Sequence, residues 1–215
     1  MFFIPIGRAV YCLRGLENTS DRGTFRSVGT GAPICPMLKQ ETTIEGVYVH
    51  LLAPHDDSRG CFTEIYRDSW QSDFRSIQWN LVTSRAQTLR GVHVHKRHHD
   101  YLMVLSGTLM LGLHDFRPGS ASNGKSELLS LTGESKTTVA IPPGVCHGFY
   151  FPEPTTHLYS VSEYFNPEDE LGCRYDCPEL KLDWPEAAPI LSDRDRSAGS
   201  YSAMLREMSS VWEPE

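Results

Sequence analysis

The chain of 215 residues has no CxxC pair among its six cysteines, no apolar run of membrane-spanning length, no internal repeat and no low-complexity segment. It also has no excess of positive charge. The missing CxxC pair removes the zinc-ribbon class. The missing apolar run leaves no membrane-spanning helix to expect. A net charge of −7 gives no chain-wide basic field for nucleic acid or anionic lipid, so neither is an expected partner. Residues 2–13 are apolar, but Pro5 and Arg8 interrupt them and no basic stretch precedes them, so they do not read as a secretory signal. Cys12, Cys35, Cys61, Cys146, Cys173 and Cys177 are spread along the chain as ordinary reduced thiols would be. Together these features predict a cytoplasmic protein.

What the chain does have is 40% hydrophobic residues, enough to exclude wholesale disorder. Residues 1–40 mix Gly, Ser, Thr and Arg with little periodicity and read as an N-terminal extension or arm. From there short strand-like runs recur between turn signals: 46–52, 61–66, 77–82, 89–95, 101–105, 108–114, 127–131, 138–141, 148–151 and 158–164. That rhythm predicts an all-β sandwich or barrel over 41–185. Breakers at Arg117-Pro-Gly-Ser and Ile141-Pro-Pro-Gly fall where turns are needed. The tail, 186–215, carries one good helical stretch at 200–210, with Met204, Leu205 and Met208 on one side.

Four of the nine histidines lie between Arg90 and Gly107. His93-Val94-His95 alternates, so on a strand both imidazoles share a face. Proton-exchanging groups on one face cost free energy unless something binds there. His98 and His99, after Lys96-Arg97, read as solvated loop residues.

Three resemblances follow from these residues and their surroundings. His93-x-His95-x4-Asp100-x6-Gly107 resembles the first motif of the cupin superfamily, with Asp100 where Glu is usual. Pro142-x-Gly144-x2-His147 resembles the second. This likeness implies a metal-dependent cupin enzyme, with His93, His95, Asp100 and His147 around a divalent transition metal. A closer resemblance runs from about Ile44 to Asp195. Asp57-Ser-Arg59-Gly60-Cys-Phe62-Thr-Glu64, Gln78-Trp-Asn80, Leu89-Arg90-Gly91-Val92-His93, His114-Asp-Phe-Arg117-Pro-Gly-Ser120 and Ile141-Pro-Pro-Gly-Val-Cys-His147-Gly-Phe149 recur in family order. So do the tyrosine strand at Tyr159 and a tail ending Pro189-Ile-Leu-Ser-Asp-Arg-Asp195. They resemble the dTDP-4-dehydrorhamnose 3,5-epimerase family, cupin (jelly-roll) barrels that need no metal or other cofactor.

That resemblance implies a nucleotide-linked 4-keto-6-deoxyhexose as substrate, epimerised at C3 and C5, or at C3 alone, in deoxysugar biosynthesis. His93 takes the base position, since an imidazole titrates near neutrality. Tyr159 takes the acid position. Arg59, Glu64, Gln78, Asn80 and Arg90 match positions that hold the nucleotide and diphosphate, while His95 and His147 would lie at the sugar. The family also implies a homodimer that exchanges N-terminal strands. Arg90-Gly-Val-His93-Val-His95-Lys96 additionally resembles cupin 3,4-ketoisomerases on similar sugars.

Three departures fall at the chemical centre. Asp100 stands where the family has an enolate-stabilising lysine. Cys177 stands where the base's supporting aspartate is expected, leaving Asp176, one residue earlier, to reach His93. Phe165 stands where a second aromatic hydroxyl is expected.

Overall fold

A computed structural model describes residues 37–70 and 74–212. The N-terminal extension up to residue 36, with Cys12 and Cys35, therefore lies outside the described residues. The strands are β1 (Met37–Glu41), β2 (Tyr48–Leu52), β3 (Pro54–Asp57), β4 (Gly60–Thr63), β5 (Gln78–Ser84), β6 (Thr88–His95) and β7 (Asp100–Ser106). They continue with β8 (Thr108–Asp115), β9 (Ser126–Thr132), β10 (Thr137–Ile141), β11 (Val145–Phe151), β12 (Thr155–Val161) and β13 (Glu170–Gly172). Two helices close the chain, α1 (Asp193–Arg196) and α2 (Tyr201–Trp212). The expected all-β cupin architecture with a short C-terminal helix is what the chain adopts.

One sheet runs β1-β2-β10-β7-β12-β5 and the other β13-β6-β11-β8-β9, with β3-β4 a separate hairpin. Every pairing between these strands is antiparallel. Alternation along each strand sends one set of side chains into the barrel. Leu109, Leu111 and Leu113 of β8 meet Leu102 and Val104 of β7 and Val139 and Ile141 of β10 in the interior core. The outer face of the second sheet carries Val92, Val94 and Cys146, which Leu180, Met204 and Met208 cover. Gly112 is required there, because a Cβ would collide with the Trp184 ring.

Three elements depart from the sequence reading. Met37–Glu41 pairs with β2 and forms a sheet edge, across the expected boundary near residue 40. β13 has only three residues and no periodicity to announce it. The tail is more than a helix: Ile190 bridges Thr88, its carbonyl accepts from Leu89 N–H at 3.0 Å, and its N–H donates to the Gln87 carbonyl at 2.7 Å. That stitch fixes α1 against β6.

Candidate active site

β6 delivers His93 and His95 to the interior face, as the alternation predicts. His93 stands opposite His147 on β11, and the register slips between His147 and Phe149. Gly91 permits the slip. Its φ is +115° and a Cβ would sit 2.9 Å from the Gly148 Cα and the His147 carbonyl, so no other residue fits the backbone contact.

The carboxylate supporting His93 is Asp195, not Asp176. His93 Nε2 lies 2.7 Å from Asp195 Oδ1, and the carboxylate is only 6% exposed. Ser192 caps α1, its hydroxyl accepting from the Asp195 N–H at 3.1 Å. Burial opposes ionisation of Asp195. His93, Ser192 and the Gly91 N–H outweigh it and hold the carboxyl below its ordinary range. The contact selects the tautomer with its proton on Nε2 and the lone pair on Nδ1. Asp176 instead pairs with Arg174 at 2.9 Å on the surface, 47% exposed. The expected reach of Asp176 fails because its own neighbour captures it. The signal for Asp195 lay in Ser192-x-x-Asp195, a helix-start pattern at the end of the matched tail.

Tyr159 sits on β12 in the facing sheet, packed on the interior core. Burial, then the Asp100 and Glu170 carboxyls, raise its pKa, so the phenol keeps its proton. Asn80 is its direct partner across the β12–β5 ladder. Gln78 donates to Asn80 Oδ1 at 3.1 Å, while the buried Asn80 amide nitrogen has no partner among the described residues. Arg90 donates from Nε to Ser84 Oγ at 3.0 Å. Ser84, Arg90 and Asp195 share a recess of about 300 Å³. His157, between Phe151 and Tyr159 in a ring stack, was not anticipated. Burial and then Arg90 push it down to about 4.

Arg59 and Glu64 do not join this interior. Arg59 pairs with Asp57 on the exposed β3–β4 hairpin, and Glu64 pairs with Arg67 just beyond it. Phe165 is exposed, and its N–H donates to Gln78 Oε1 at 3.3 Å.

Behind His93 lies a second cluster. His95, His98, Asp100, His147 and Asp169 are all buried. His98 corrects the solvated-loop reading: it is 4% exposed, its Nδ1 contacts Asp169 Oδ2 at 3.0 Å, and its ring stacks on His95 at 3.8 Å. Burial first, then the neighbouring imidazoles, hold His95 well below its ordinary pKa. Burial pushes His147 down to about 3. Burial, then Glu170 and Asp169, push Asp100 well above the carboxylate range. Of the four residues expected from the cupin motif, the structure brings His95, Asp100 and His147 together, their donor atoms within 4.8 Å of one another, while His93 Nε2 contacts Asp195.

An imidazole backed by a carboxylate on one sheet and a phenol that keeps its proton on the other are the groups needed to remove a proton from one face of a small ring and return one to the other. Fold and site together define a cupin-type isomerase acting on carbohydrate. The family profile of dTDP-4-dehydrorhamnose 3,5-epimerase matches residues 41–202, and the chain belongs to that family. A dTDP-4-dehydrorhamnose 3,5-epimerase of Mycobacterium tuberculosis is 31% identical over 182 residues, 77% of this chain and 88% of that one. A Legionella pneumophila dTDP-6-deoxy-D-glucose-3,5-epimerase, solved with dTDP-4-keto-L-rhamnose, superimposes with a TM-score of 0.73 at 28% identity, covering 80% of this chain and 96% of that one. A 3'-monoepimerase from Streptomyces bikiniensis, solved with dTDP-quinovose, gives 0.72 at 27% identity, covering 80% and 93%.

Proposed function

We propose that this protein epimerises a dTDP-linked 4-keto-6-deoxyhexose at carbon flanking the C4 ketone. The observation that carries the reading is the 2.7 Å contact between half-buried His93 on one sheet and the buried Asp195 carboxylate, with Tyr159, a phenol that keeps its proton, on the other sheet. The neighbouring ketone acidifies the C3 and C5 protons. His93 removes one through Nδ1, the electron pair passes to the C4 oxygen as an enolate, and Asp195 balances the imidazolium. Tyr159 then donates its proton to the same carbon from the opposite face, which inverts it. Solvent returns the proton to Tyr159 and takes one from His93. These transfers use no cofactor. Burial, then Glu170 and Asp169, push the Asp100 carboxyl well above its ordinary range, which weighs against a full negative charge where the family's lysine is missing.

Arg90, beside the recess, suits the diphosphate because a guanidinium donates in a planar fork. Asn80, with its unpartnered amide, suits the nucleotide or sugar. Arg59 and Glu64 complete a site only if another copy brings them. A homodimer supplies that copy, and exposed Phe62 on the hairpin with exposed Trp79 and Leu81 on edge strand β5 offers an apolar face for it. No helix among the described residues is long and apolar enough to cross a membrane, in keeping with a cytoplasmic site of action.

Proton NMR in deuterated water with a dTDP-4-keto-6-deoxyglucose substrate tests the reading. Deuterium is expected at C3, or at both C3 and C5, and His93→Ala is expected to abolish it. Full incorporation in that variant removes His93 as the base. A shift of the ketone to C3 marks ketoisomerisation instead.

A further inference from the structure

The carboxylate that serves His93 hangs from a very short element. α1 has four residues, and a helix of that length does not hold itself together in water. Its place is set by what ties it to the barrel. β11 pairs along one edge of β6, from Thr88 to His93. On the other edge β13 takes residues 93–95, with Glu170 opposite His95, and Ile190 bridges Thr88. Asp195 reaches into the gap between those two pairings, where the Gly91 N–H and His93 Nε2 meet its carboxylate. The next backbone anchor after α1 is the Gly199 carbonyl, which accepts the Arg174 N–H at 3.0 Å. Between Ile190 and Gly199, two side chains tie the segment to the barrel by polar contacts among the described residues: Asp195 and its neighbour Arg194. Arg194 Nη1 and Nη2 each stand 3.2 Å from Glu170 Oε2, and Nη2 donates to the Glu170 carbonyl at 3.3 Å. The other carboxylate oxygen of Glu170, Oε1, lies 3.3 Å from His95 Nδ1.

We propose that Arg194 is a positioning residue for the proton transfer: clamped on Glu170, it holds α1 at the angle that keeps the Asp195 carboxylate on His93 Nε2. The inference rests on His93 and Asp195 being the base and its partner. A one-turn helix pinned at Ile190 can swing about that point and carry Asp195 off the ring. A second tie, one residue from the carboxylate, removes that freedom, and small misplacements of a reacting pair are costly in rate. Glu170 suits the task because the β6–β13 ladder fixes it beside the strand that carries His93. Arginine suits it because the guanidinium donors are set in one plane. Arg194 does not line the recess shared by Ser84, Arg90 and Asp195, so its effect belongs in kcat rather than KM. Arg194 is 49% exposed and Glu170 13%. Solvent therefore screens the pair in part, and it shifts the docking of α1 by about fivefold at most.

A double-mutant cycle on Arg194→Ala and Asp195→Asn tests the clamp in the full chain, with deuterium incorporation into the sugar as the rate. Arg194→Ala alone is expected to lower kcat about two- to fivefold with KM unchanged, and Arg194→Lys to recover most of that loss. In the Asp195→Asn background, Arg194→Ala is expected to change nothing further. An equal loss in that background overturns the proposal, because the arginine would then act by another route. So does a wild-type kcat in Arg194→Ala, or a raised KM with kcat intact. Nitrogen-15 NMR of the histidine rings, with no sugar present, gives a second readout that needs no turnover. The His93 Nε2–H signal held by Asp195 is expected in wild type and Arg194→Lys, and is expected to weaken in Arg194→Ala. Loss of thermal stability in Arg194→Ala with the ring signal unchanged would make the pair structural only, and overturns the proposal too. If wild type shows the ring signal yet exchanges no deuterium, the epimerase reading fails, while the ring signals of the Arg194 variants still decide whether the clamp places Asp195.

Discussion

Replacing Asp195 with Asn keeps the shape of the side chain and removes its charge. The contact to His93 Nε2 is 2.7 Å, from a carboxylate 6% exposed to an imidazole 23% exposed, so solvent does little to screen it. Hydrogen bonds of this charged kind contribute about 1.5–3 kcal/mol. The imidazolium formed when His93 takes a proton loses its counter-charge, while the resting state loses less, so most of that energy falls on the barrier. At about 1.4 kcal/mol per factor of ten, proton exchange slows about ten- to hundredfold. An amide can also turn its N–H toward Nε2, which would move the ring proton to Nδ1 and blind the base. The assay is the initial rate of deuterium incorporation at C3 by proton NMR, with substrate saturating. Asp176→Asn is the control, because its exposed pair with Arg174 contributes about 0–1 kcal/mol to stability at most. An Asp195→Asn rate within about twofold of wild type, well below the span set by that contact energy, would refute the dyad. A tenfold loss in Asp176→Asn would return the supporting role to the residue that the motif comparison favoured.

Tyr159→Phe is expected to lower formation of the inverted product about a hundredfold or more, while His93-dependent deuterium exchange on the original face continues. Loss of both together would mean that Tyr159 holds the substrate rather than protonating it. Arg90→Ala is expected to raise KM for the nucleotide sugar about tenfold or more, as for loss of a charge-assisted contact, with kcat changed less; the reverse split would place Arg90 at the reacting carbon. His157 is held down at about 4 against an ordinary 6.5. A His with a lowered folded pKa binds more protons unfolded, so its stability contribution is intact above pH 6.5 and falls as pH drops toward 4. The full loss is about 3 kcal/mol, visible in urea unfolding as a slope that His157→Asn flattens. Gly112→Ala is expected to destabilise the fold by about 1–3 kcal/mol through collision with Trp184, measured the same way.

The strands were legible because alternation and turn chemistry are local. The interior placement of His93 and His95 follows from spacing alone, and so does the apolar side of α2. Asp195 was hidden because its contact with His93 spans 102 positions and depends on the Ile190 stitch, which no periodicity announces. Asp176 was attractive because it lies one residue before Cys177, where the supporting aspartate is expected, but an arginine two residues away captured it. His98 was misread because Lys96-Arg97 makes its connection look solvated. Its burial depends on Asp169, which lies in a tight turn 71 positions later and also accepts the Lys96 N–H at 2.7 Å. Motif order was thus sufficient for the scaffold and for placing His93 on the interior face of β6. The groups that tune the site come from short irregular segments packed on β6.

The stitch of Ile190 onto β6 has a consequence for synthesis. A ribosome completes His93, His147 and Tyr159 well before it reaches Asp195, so a nascent barrel can close while its base still lacks a counter-charge. The contact forms only when the segment around Ile190 has emerged and docked. Chains halted or clipped before residue 195 would therefore close the barrel with His93 left without its carboxylate partner, and are expected to show the same slowed proton exchange as Asp195→Asn.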